Sequence, residues 1–112
     1  MTVAELMDQL DLKLLAGKDG MYNKITGFYV GDLLSWVMTK CEEGQAWITI
    51  QTNINIIAVA ILTDISCVIV AENAEVPVET LQKSSEEGIP VLQTSLTAYQ
   101  IAVKCAGVES HL

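Results

Sequence analysis

Apolar residues recur along this chain with two alternating periods, and the alternation predicts its elements. Val3, Leu6, Met7 and Leu10 fall at helical spacing, and Thr2 with Glu5 three residues on forms a capping-box pattern, so Val3 to Leu10 reads as a first helix. Lys13 to Ala16 reads as a short strand, followed by Gly17-Lys18-Asp19-Gly20, a turn with glycine on both flanks. Gly27 reads as a bend, Phe28 to Val30 as extended chain, and Gly31-Asp32 as the opening of a helix to about Thr39 with Asp32 as its N-cap. Ala46 to Gln51 is rich in β-branched and aromatic residues and reads as a strand. Thr52 or Asn53 then caps the helix Ile54 to Leu62, which is apolar on nearly every side and must be buried or face a partner chain.

Ser66 to Ala71 reads as the next strand. Pro77 opens a helix from Val78 to Glu87, Gly88 terminates it, Ile89 to Gln93 is a further strand, and Thr97 to Ala106 is the closing helix. Gly107 to Leu112 is expected to fray. From residue 45 onward the order is strand, helix, strand, helix, strand, helix with short connections. That order implies right-handed βαβ crossovers in one α/β domain over residues 1–112, three layers deep, with a mostly parallel sheet of four to six strands.

Composition sharpens this reading. The hydrophobic fraction is 51% and the aromatic fraction only 5%, which suits the aliphatic core of a sheet covered on both faces. A net charge of −8 opposes approach to phosphate backbones, so no nucleic-acid partner is expected. The six basic residues are all lysines, so a two-pronged guanidinium clamp on a carboxylate or phosphate is not available. Cys41, Cys67 and Cys105 form no Cys-x-x-Cys pair and read as reduced, mostly core thiols, with no metal site. The longest apolar run is about half a membrane span and no charged-then-apolar leader opens the chain, so a cytoplasmic protein without membrane contact is expected.

Catalytic chemistry is poorly represented. The single histidine, His111, is next to last, there is no Gly-x-x-x-x-Gly-Lys-Ser/Thr loop, and Glu42-Glu43 and Glu86-Glu87 each sit before a helix-ending glycine as solvated surface. No catalytic residue and no cofactor is assigned, and the chain is read as a non-enzyme. In an open parallel sheet ligands settle at the carboxyl ends of the strands, which here read Gly31-Asp32, Gln51-Thr52-Asn53, Glu72-Asn73 and Thr94-Ser95. Asp, Thr, Asn and Ser are also the preferred helix caps, so a capping role and a ligand role both stand for these positions.

The segment Tyr22 to Asp32, running into Leu33, Leu34, Trp36 and Val37, resembles the defining stretch of the DRTGG domain, a small α/β module similar to the N-terminal, non-catalytic domain of HPr kinase/phosphorylase. Asn23, Lys24, Thr26 and Gly27 align with the acidic, Arg, Thr and first Gly positions of that pattern, and Phe28 stands at the second Gly. The resemblance extends from the Thr2 helix through Trp47 to Thr52 and on to Gly88-Ile89-Pro90. It implies a regulatory or small-ligand-binding module, expected to be a homodimer. Thr26, Gly27, Gly31, Asp32, Gln51, Thr52, Asn53, Thr94 and Ser95 are the candidate ligand residues. The company such domains keep implies a nucleotide or an acyl-phosphate-like metabolite as ligand; the alternative is an accessory subunit that docks on a larger, redox-type complex through Ile54 to Leu62 or the Leu33 to Met38 stripe.

Overall fold

The computed structural model describes all 112 residues. Helix α1 (Val3–Leu10) starts at the expected capping box, in which the Thr2 hydroxyl accepts from the Glu5 amide and the Glu5 carboxylate accepts from the Thr2 amide. Those hydrogen bonds hold the Glu5 carboxyl below its usual range. After α1 come β1 (Lys13–Ala16), β2 (Gly27–Val30), α2 (Leu34–Lys40), β3 (Gln45–Thr49), α3 (Asn55–Thr63), β4 (Cys67–Val70), α4 (Val78–Glu87), β5 (Val91–Gln93) and α5 (Ala98–Val108). Short 3-10 turns occupy Lys18–Gly20 and Glu109–His111.

The five strands form one sheet in the order β1-β5-β4-β3-β2. The four strands β2 to β5 run parallel, and β1 joins β5 antiparallel. Alternate residues of the central strands supply two cores, as the period of a strand requires. Ala46, Ile48, Cys67, Ile69 and Leu92 face α1 and α5, packing against Val3, Leu6, Ile101 and Cys105. Trp47, Val68, Val70 and Val91 face the other way, against Val37 of α2 and Ile56, Ile57 and Ala60 of α3. The architecture is therefore three-layered and mostly parallel, as the alternation of strand and helix predicts. No helix is long and apolar enough to cross a membrane.

Three local differences from the sequence reading matter. Helix α2 starts at Leu34 with Leu33 at its N-cap and no capping side chain, because the Asp32 carboxylate is engaged with β3 instead. Gly27 opens β2 rather than bending the chain. Helix α5 continues through Gly107 to Val108, beyond its expected end.

Candidate functional site

The candidate residues divide between the two ends of the sheet. Thr26 and Gly27 lie at the amino end of β2, and the chain crosses the sheet over the four residues of that strand before it reaches Gly31 and Asp32. At roughly 3.3 Å per residue that places the two groups about 13 Å apart.

At the amino end, the segment Tyr22 to Gly27 ties the sheet to α1. The amides of Val3 and Ala4, free at the start of α1, donate to the carbonyls of Asn23 and Met21 at 3.1 and 2.8 Å. Asn23 Nδ2 donates to the Ser66 carbonyl at 3.2 Å, and Thr26 Oγ1 donates to the Glu43 carbonyl at 2.9 Å. The Thr26 amide reaches the Gly44 carbonyl at 2.9 Å. Gly44 has φ +81°, and a Cβ there would meet Thr26 Cγ2 at 2.7 Å, so the turn before β3 must be glycine for Thr26 to dock. Ser66, buried at the start of β4, shares its hydroxyl proton between the carbonyls of Lys24 and, at 2.6 Å, Gly44. In the sequence Ser66 reads only as the first residue of a strand, and the one local signal of its role is a small hydroxyl residue leading an otherwise apolar run.

Ser66→Ala should therefore orphan the Lys24 carbonyl, while the Gly44 carbonyl keeps the Thr26 amide, and cost about 1–3 kcal/mol. Amide exchange should rise first across Asn23 to Gly27, and exchange there no faster than in the wild type would show that the hydroxyl does not hold this segment.

At the carboxyl end the polar residues converge on one another. Asp32 Oδ1 accepts from Thr49 Oγ1 at 2.8 Å and from the Ile50 amide at 2.9 Å. Gln51 Nε2 donates to the Asp32 carbonyl at 2.9 Å, and the Gln51 amide donates to Thr49 Oγ1 at 3.1 Å. The buried indole of Trp47 donates from Nε1 to the Gly31 carbonyl at 2.8 Å. Gly31, Asp32 and Gln51 are thus brought together through Thr49 and Trp47, which the candidate set did not contain. The other members stand apart from this knot. The Thr52 carbonyl accepts from the buried Thr80 hydroxyl at 2.8 Å, Asn53 Oδ1 caps the Asn55 amide at 2.9 Å, and Thr94 Oγ1 accepts from the Leu96 amide at 3.2 Å. Ser95 is exposed.

None of the nine candidate residues lines any of the four surface cavities. Two of the cavities, about 200 and 320 Å³, flank Asn23, Asp64 and Ile65 at the amino end. The three cysteines are buried, and that burial pushes the Cys41 thiol up to about 11, the Cys105 thiol up to about 12, and Cys67 further still. They are protonated at neutral pH and pack as small hydrophobes.

Sheet order, layering and the amino-end network define a small three-layer α/β module held at its edge by a threonine-and-glycine latch. A family model for the DRTGG domain matches residues 5–107, and the chain belongs to that family of small regulatory modules. A comparison with curated proteins returns no match.

Proposed function

We propose that this chain is a non-catalytic regulatory module that works by docking on protein, through the surface formed by β2, α2 and α3. One observation carries this reading. Eight of the thirteen large hydrophobic residues exposed on the molecule lie between Val30 and Leu62, among them Leu33, Trp36, Ile54, Ile61 and Leu62. The chain from Gly44 to Thr63 carries no charge at all, in a protein of net charge −8. Apolar exposure concentrated on one face, whose three elements carry Lys40 as their single charged residue, is the signature of a contact surface.

A photo-reactive residue placed at Trp36 or at Leu62 should cross-link to protein in the native cell, whereas the same residue at Tyr99, an exposed aromatic on α5, should not. Equal cross-linking from all three positions, or none, would sink the reading.

A second reading keeps a small ligand, nucleotide or acyl-phosphate-like, at the carboxyl ends of the strands. It is favoured by α4, whose first turn has no side chain from the N-cap residue bonded to its amides. The all-lysine basic set counts against tightly held phosphate. A thermal midpoint unmoved by saturating adenine nucleotide removes the nucleotide form of this reading.

A further inference from the structure

The two edges of the sheet are unequal. Strand β1, at one edge, carries the exposed Lys13 and breaks register between Leu14 and Ala16, which are the devices that keep an edge from pairing with another chain. Strand β2, at the other edge, has neither. Its sequence is Gly-Phe-Tyr-Val, its pairing with β3 is regular from Gly27↔Gln45 to Val30↔Ile48, and nothing in the fold covers its outer side. Phe28 and Tyr29 are half-buried on opposite faces, and Val30 is exposed. Immediately after it, α2 buries only Val37 and leaves Leu33 and Trp36 outward at 61% and 59% exposure.

We propose that β2 is the seam of a two-fold dimer, in which the β2 edges of two copies pair antiparallel into one ten-stranded sheet and the two α2 helices close over the join. This rests on the docking reading and names the occupant of one part of that surface. Charge selects a second copy. From Ile25 to Lys40 the only charged residues are Asp32 and Lys40, one of each sign, with Lys40 Nζ 5.8 Å over the Trp36 ring, so two molecules that repel each other over most of their acidic surface meet here on a segment of no net charge. A partner recruited by the acidity of the chain would instead sit on its charged faces. Symmetry agrees with chemistry. An antiparallel ladder is unchanged by a two-fold axis normal to the sheet, and that axis sets both α2 helices on the same face, with Leu33 and Trp36 of each copy over the seam.

Sedimentation across a concentration series, with amide exchange of Gly27 to Val30, tests the seam. The wild type should sediment as a dimer with slow exchange in β2. Val30→Lys places an edge-guarding charge, and Trp36→Glu places a carboxylate on the covering helix; each should weaken the dimer by about thirtyfold or more, the scale of losing a central aromatic contact. Ala58→Glu, at an exposed position of α3, should leave it intact. Circular dichroism checks that each variant is folded, and Trp36→Glu stands in if a lysine disturbs the edge strand itself. A wild type that stays monomeric, a dimer that survives both substitutions, or one that only Ala58→Glu breaks overturns the proposal. A monomeric wild type would leave the docking reading standing on its cross-links from Leu62, and a dimer without those cross-links would do the reverse.

Discussion

Gly17→Ala should remove about 2–5 kcal/mol of stability, a large part of what a domain of this size has. Gly17 ends β1 with φ +82° and is buried, and a Cβ on it would stand 2.0 Å from the carbonyl oxygen of Ile89 and 2.8 Å from the nitrogen of Pro90. The left-handed conformation alone costs an L-residue about 1–2 kcal/mol, and the forced separation of two backbone segments adds about 1–3 kcal/mol. The separation cannot be local. Ile89 and Pro90 lead into β5, the Pro90 carbonyl accepts from Val68 of β4, and Val91 pairs with Ala16. Pushing the turn away from Ile89 therefore strains the pairing of three strands. Gly107→Ala makes the same chemical change where nothing lies within 4 Å, inside α5, and should instead stabilise by about 0.5–1 kcal/mol. Urea titration should show the midpoint falling for the first variant and rising for the second at unchanged slope. A Gly17→Ala protein as stable as the wild type would mean that this close approach does not exist.

The central strands were legible because strands buried on both faces have little freedom of composition. Ala46 to Gln51 and Ser66 to Ala71 are apolar and β-branched, and each lies within two residues of the strand it predicts. Glycine and proline marked the ends of α4, and the Thr2 box marked the start of α1, while the matching box of Thr97 and Gln100 at the start of α5 was there to be read. Strand pairing was not legible. That β1 joins β5, with some seventy-five residues between them, and runs against it depends on contacts that no local period encodes.

The polar residues illustrate the same limit more sharply. Asp32 has the side chain of an N-cap and the position of one, and local chemistry cannot tell capping α2 from accepting two hydrogen bonds from β3, because Thr49 and Ile50 are distant in sequence. The strand-end rule correctly groups Gly31, Asp32 and Gln51 at one edge. The resemblance placed Thr26 and Gly27 in the same candidate set, and β2 carries them to the opposite end. Thr49 and Ser66 escaped notice since a buried hydroxyl inside a strand looks like a filler until its acceptor is seen.

Trp47→Ala should cost about 3–5 kcal/mol, and the comparison with Trp47→Phe separates packing from anchoring. Trp47 is the largest side chain fully buried in the molecule, and its ring fills the layer between the sheet and α2 and α3. Alanine leaves that volume empty. Phenylalanine keeps much of the packing but removes the Nε1 donor to the Gly31 carbonyl, a loss of about 1–2 kcal/mol. The anchoring loss has a second consequence, because Gly31 and Asp32 lead directly into Leu33 and Trp36. A looser Gly31 should speed amide exchange from Gly31 to Leu34 and weaken the β2 seam, with the rest of the sheet still protected. Trp47→Phe also leaves Trp36 as the sole indole, so its emission reports the seam directly. Dilution should shift that emission to the red as the dimer parts and water reaches the ring. Emission independent of concentration, in a protein that sediments as a dimer, would place Trp36 outside the contact.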